Sequence, residues 1–209
     1  MSAPGCGAAT ARSTLASDLP RSLLARVAGA QRWLQAIYRL DLELDAARCV
    51  VAPACARRWL PQGSPRTGVV VVDEGEEAFA GIYVDPADAQ DDAAVLEETS
   101  HLVCLAWHAA QNRPVSRLQL ELQSEIDRYA VMRLRGRDPF AHFRSFRWAD
   151  GLGPRALERY VTAHRKGRRS CEALERRHPL RADTPSWLAE LRRYYRAPAA
   201  EKWHHARLA

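Results

Sequence analysis

Side chains able to hold a metal ion or move a proton gather between positions 97 and 125: Glu97, Glu98, His101, Cys104, His108, Glu121 and Glu125. At 100° per residue, Glu97, His101, Cys104 and His108 fall within about 60° of one another and form one stripe of a helix. Val95, Leu96, Leu102, Val103, Ala106 and Trp107 occupy the far side, and no Lys or Arg stands between Asp91 and Gln111. A solvated helix surface would carry such cations, so the stripe is expected to be sheltered. Downstream, Leu118, Leu122, Ile126, Tyr129 and Met132 share an apolar face with Glu125 in its middle and Glu121 at its edge. A carboxylate buried there costs several kcal/mol unless it is paired, whereas Asp127, on the opposite side, is expected in solvent. The short connection Asn112-Arg113-Pro114-Val115 predicts antiparallel neighbouring helices that bring the two acidic stripes together. The neutralising group is a metal ion, a protonated His101, or an arginine. In the last case Glu97 and Glu125 pair with Arg113, Arg117 or Arg128 in a network that needs no metal.

The run Glu97-Glu98-Thr99-Ser100-His101, followed after nineteen residues by Glu121-Leu122-Gln123-Ser124-Glu125, resembles the H-E-x-x-H helix and glutamate helix of the gluzincin metallopeptidases. The resemblance extends over about residues 19–135. It implies a zincin-like α+β fold and a divalent metal held by His101 and Glu121, with Glu97 as substitute ligand. It further implies Glu98 as the base that activates a water, and Glu125 as an orienting carboxylate. The departure is Glu97, which stands where the family has its first histidine. An anion in place of a neutral imidazole weakens zinc as a Lewis acid and moves the expected metal from zinc toward iron or manganese. The implied activity is metal-dependent hydrolysis, with a peptide bond as the first substrate to consider.

A second carboxylate pattern is also present. Glu98-x-x-His101, Glu175-x-x-His178 and Glu201-x-x-His204 repeat the Glu-x-x-His spacing of di-iron bundles. Glu175, beside Arg176, Arg177 and Pro179, and Glu201, close to residue 209, read as solvated helix ends instead. Cys104 reads as a small buried residue, because no neighbouring cation would stabilise its thiolate. His108 lies two turns from His101 and either joins the site or fills the core. Tyr129 reads as a core tyrosine within reach of the carboxylates.

The elements that must position these groups follow from periodicity. Residues 1–18 read as a loose tail. An amphipathic helix is expected over 19–40, a half-buried strand at Leu40–Leu44 that Cys49–Ala52 extends or pairs with, and loop over 53–67. A hairpin of 68–72 and 78–84 follows around Asp73–Glu76, then a helix capped by Asp91 and Asp92 that runs to about Gln111. The glutamate helix begins near Ser116 and ends near Gly136. An aromatic and basic connector spans 140–148. Shorter helices near 154–167, 169–178 and 185–196 are separated by Gly167, Pro179 and Pro185. The expected organisation is α+β, a small antiparallel sheet with the site helix and glutamate helix over 19–136, and a helical C-terminal extension over 137–209.

Composition narrows the function classes. The 209 residues are 47% hydrophobic and 27% charged, values of an ordinary globular chain, and no apolar run approaches the roughly 18 residues that span a bilayer. The N-terminal run lacks a charged start followed by an apolar stretch, and the five cysteines are scattered, so a cytosolic chain without disulfides is expected. The net charge of +6 divides into +5 over residues 1–72, −11 over 73–127 and +12 over 128–209. The basic end is either the internal complement of the acidic block or a surface for nucleic acid. Leu191-Arg192-Arg193-Tyr194-Tyr195-Arg196 and Lys202-Trp203-His204-His205 mix cations with aromatics, as single-stranded nucleic-acid surfaces do. No Gly-rich phosphate loop, G-x-S-x-G elbow or dinucleotide motif is present. Beside the hydrolase stands a non-catalytic module that binds a peptide, a protein or nucleic acid and keeps its Glu/His/Arg network free of metal.

Overall fold

Helix boundaries follow local capping chemistry. The computed structural model describes residues 19–61, 63–73, 75, 78–145, 152–198 and 201–202. Helix α1 spans Arg21–Tyr38, a single turn α2 spans Pro53–Ala56, and strands β1 (Gly68–Asp73) and β2 (Ala78–Tyr83) form the hairpin. Then follow α3 (Asp92–Ala110), α4 (Arg117–Leu134), the short α5 (Ala141–Ser145), α6 (Pro154–Arg177) and α7 (Thr184–Arg196). The Asp91 carboxylate accepts from the Ala93 amide at 2.8 Å and caps α3. Ser116 caps α4 in a reciprocal capping box with Gln119. Asn112, at φ 48°, closes α3 in the left-handed conformation that asparagine tolerates, and the Arg113 amide returns to the His108 carbonyl at 2.9 Å. The architecture is α+β with a helical C-terminal half, and no described helix is long and apolar enough to cross a membrane.

The chain forms two compact units: residues 1–31 with 44–102, and residues 32–43 with 103–209. In the first, β1 and β2 pair antiparallel from Gly68↔Tyr83 to Asp73↔Ala78, and Val50 joins β2 through a bridge in which the Val51 amide donates to the Ile82 carbonyl at 2.7 Å. Leu23, Val27, Ala46, Val50, Ile82, Val84, Val95 and Leu102 form its apolar core. Each such large aliphatic side chain contributes about 1.5–3 kcal/mol on leaving water.

In the second unit, α6 lies along α4, and Trp187, Leu191, Tyr195, Leu122, Ile126 and Tyr129 are almost completely buried. Tyr38 stacks on Tyr195 with ring centroids 4.2 Å apart. The Tyr38 hydroxyl also donates to Asp127 at 2.5 Å, and the Gln123 amide donates to the same oxygen at 2.7 Å. Asp127 is therefore a buried acceptor, 1% exposed, where the helical wheel placed it in solvent. The far side of α4 is also covered, and polar partners rather than water receive its carboxylate.

Three further expectations change. Leu40–Leu44 is not a strand. Its leucines are more buried than the alternating Asp41 and Glu43, as period two demands, but the backbone is irregular. Side chains of α1 take its carbonyls instead, Gln31 bonding Leu44 at 2.5 Å and Gln35 bonding Leu42 at 3.5 Å. The stretch expected as loop over 53–67 contains the turn α2. Gly167 does not divide the helix around it, because α6 runs unbroken from Pro154 to Arg177. A Cβ placed on Gly167 would lie 2.8 Å from the Cβ of Glu125, so the glycine permits the close approach of α6 to α4. Gly167→Ala is expected to lower stability by about 1–3 kcal/mol through overpacking, even though alanine is the better helix former by about 1 kcal/mol. Urea unfolding of the two proteins measures the difference, and a stabilised variant would remove the close-packing role.

Candidate metal and carboxylate sites

In the first unit, helix α3 carries Glu97 and Glu98 on one turn and His101 on the next. Glu98 and His101 are each 8% exposed, and Glu97 is half-buried. His101 Nδ1 stands 3.3 Å from Glu98 Oε2, one turn back along the helix. Pairing a buried imidazole with a carboxylate through one ring nitrogen fixes the orientation of the ring and hence the direction of the other nitrogen. Glu97 precedes His101 by four residues, the spacing at which two ligands on one helix face reach a common point. The charge of Glu98 also reaches the Tyr83 phenol, which burial first and then this carboxylate push above the ordinary value.

In the second unit, α4 presents Glu121 and Glu125, both buried. Glu125 lies between two imidazoles, with His142 Nε2 3.1 Å from Oε2 and His164 Nδ1 3.0 Å from Oε1. Arg128 Nη1 stands 3.8 Å from the same Oε2. Burial alone would raise the Glu125 carboxyl, but the hydrogen bonds from His142 and His164, aided by Arg128, hold it down at about 2. Burial in turn lowers His142 below the ordinary imidazole value, against the opposing pull of Glu125. A neutral His142 that donates from Nε2 carries its lone pair on Nδ1, which is buried without a hydrogen-bond partner among the described residues. Glu121 accepts from Arg159 Nε through Oε1 at 3.2 Å.

Of the residues expected from the sequence, Glu97 and His101 stand in the first unit and Glu121 in the second, each of a residue type that can ligate a divalent ion. Glu125 keeps its expected burial and its partner Arg128, but His142 and His164 do most to hold it. Arg113 is engaged elsewhere, lying over the Trp107 ring and donating to the Arg196 carbonyl at 3.0 Å. Cys104 is buried and its thiol is pushed up to about 12, as befits a small core residue. His108 is also buried, and burial and Lys202 lower it. The Tyr129 hydroxyl serves neither acidic stripe. It donates to Glu175 at 2.6 Å and accepts from Trp187 Nε1 at 3.2 Å. Glu175 is thereby tied into the core, and His178 meets Glu190 at 2.8 Å. The tail residues Trp203, His204 and His205 lie outside the described residues.

His142, His164 and Arg159 are the site residues that periodicity did not single out. A signal exists for His164. It follows Ala163 and precedes Gly167, Ser170 and Cys171, a run of small residues at helical spacing that lets another helix come close. A scan of the sequence against protein-family models, a search of curated proteins and a search of solved structures each returned no match.

Glu125 makes the second unit sensitive to acid. Its carboxyl is lowered on folding, so its stabilisation is complete above the ordinary carboxyl value near 4.5 and is lost as pH falls through that value toward about 2. Glu125→Gln should cost about 3 kcal/mol at pH 7. The gap from the parent protein should close between pH 4.5 and 2. Chemical unfolding at pH 7, 5 and 3 measures it, and a gap that does not change with pH would show that Glu125 is not held as an anion.

Proposed function

We propose that this chain binds a divalent metal through Glu97, His101 and Glu121 and uses it in hydrolysis. The observation that carries the reading is the contact between Glu98 Oε2 and His101 Nδ1, buried on both sides. It leaves Nε2 as the ligand nitrogen of an imidazole already fixed in orientation. Glu97 on the same helix and Glu121 at the following helix complete a donor set of one nitrogen and two carboxylates, which suits iron or manganese as well as zinc. Arg159 donates to Oε1 of Glu121 and fixes the orientation of that carboxylate. A bound divalent cation would acidify a water and polarise a carbonyl at that place. Glu98 braces His101 through Oε2, and Oε1 is the oxygen able to take a proton from the attacking water. A peptide bond is the substrate class that the motif favours.

A second reading is supported by the anion network of the second unit. Glu125 is held by His142, His164 and Arg128, and Glu121 by Arg159, all side chains of the protein itself. In that reading the chain is a metal-free binding module for a peptide, a protein or nucleic acid.

Elemental analysis of the purified full-length protein separates the two. Stoichiometric iron, manganese or zinc that is lost in His101→Ala, with helical circular dichroism retained, supports the metal reading. Metal-free protein after growth with each metal supplied overturns it. Glu98→Gln should abolish turnover of a peptide library while weakening metal affinity by about tenfold or more through loss of the brace on His101. Full activity in that variant would remove Glu98 from both roles.

A further inference from the structure

The second unit contains a cavity of about 290 Å³ that plays no part in the carboxylate chemistry above. Its size is near the lower end of the range for small-molecule sites. Two helix faces line it at the spacing i, i+3, i+4, i+7: Ser170, Ala173, Leu174 and Arg177 from α6, and Glu190, Arg193, Tyr194 and Ala197 along α7 and its C-cap. The floor is apolar, with Ile126, Ala173 and Leu174 at most 5% exposed.

A buried hydroxyl interrupts this floor. Ser170 is 6% exposed, and its hydroxyl has no hydrogen-bond partner among the described residues. A buried hydroxyl left in that state costs about 1–3 kcal/mol, a penalty that a ligand atom would relieve. In mid-helix a serine ordinarily returns its proton to the carbonyl four residues back, and this one does not.

The rim carries four charges of two kinds. Arg177 and Glu190 form an ion pair that His178 completes, so their charges are already met. Arg193 and Glu201 line the same cavity, are both exposed, and form no ion pair with each other or with any other described residue. One opening therefore offers an uncommitted guanidinium, an uncommitted carboxylate and, beneath them, a hydroxyl in need of a partner.

We propose that this cavity binds a small zwitterion of the α-amino-acid class, its carboxylate on Arg193, its ammonium on Glu201 and a polar side-chain atom on the Ser170 hydroxyl. An anion alone would meet the charge of Glu201 unpaired, and a cation alone that of Arg193. An uncharged apolar molecule would leave Ser170 as it is. A compact ligand carrying both charges and a short polar side chain answers all three groups. A peptide has its two end charges too far apart for a cavity of this volume.

The test is a thermal-shift and calorimetric screen of the full-length protein against the twenty free L-amino acids, followed by the des-amino and decarboxylated analogues of the best binder. The expected result is saturable binding by an amino acid with a polar side chain, with a Kd below about 10 mM. Each analogue should bind at least about tenfold more weakly, as loss of a charge-assisted contact requires. Arg193→Gln and Glu201→Gln, both surface changes, should each reproduce a loss of that size with the unfolding transition unchanged, and Ser170→Ala should reduce selectivity for the polar side chain. No binding by any amino acid overturns the proposal. So does equal affinity for an analogue lacking either charge, or full affinity in both rim variants. Metal content does not enter the measurement, so its outcome is separate from that of the metal reading.

Discussion

Helix α4 places three carboxylates, Glu121, Glu125 and Asp127, where water cannot reach them, and the second unit is organised around supplying each with donors. Two imidazoles from different parts of the chain hold Glu125, a guanidinium from α6 holds Glu121, and a phenol with a carboxamide holds Asp127. Removing a single partner from such a set leaves a buried charge uncompensated, which costs more than most apolar contacts return. The close approach at Gly167 belongs to the same arrangement, because it brings α6, and with it Arg159 and His164, near enough to α4 for these bonds to form.

The hairpin, the site helix and the glutamate helix were legible because their signals are local. Asp91 and Ser116 cap their helices, Asn112 closes one, and four consecutive valines mark β1. Leu40–Leu44 shows the limit of such signals: period two reported which side chains leave water, but not that Gln31 and Gln35 would take the backbone carbonyls in place of a partner strand. Gly167 shows another. A glycine in a helix weakens it locally, and only the neighbouring helix, remote in sequence, reveals why the helix continues. Asp127 misled for a related reason. A wheel has one apolar face by construction, whereas α4 is covered on several sides by polar and aromatic groups.

The candidate site was legible in its acids and not in their partners. A carboxylate at the centre of an apolar face demands a donor whatever the fold, so Glu125 could be found from its own helix. Its donors, His142 and His164, are 17 and 39 residues away and share no periodicity with it. The opposite charges of the acidic middle and the basic end foretold the outcome in aggregate. In the second unit Arg128, Arg133 and Arg159 meet Glu125, Glu175 and Glu121, so at least part of the positive C-terminal charge is spent inside the fold.

The thiols of Cys104 and Cys171 are sealed in the second unit, whereas Cys49 and Cys55 lie half-buried in the first. Burial keeps Cys104 and Cys171 protonated and away from reagents, so an alkylating probe can reach them only during a transient opening of the helices around them. The chain thus carries its own clock, in which the interval between modification of the outer pair and the inner pair records how often the carboxylate-bearing half breathes.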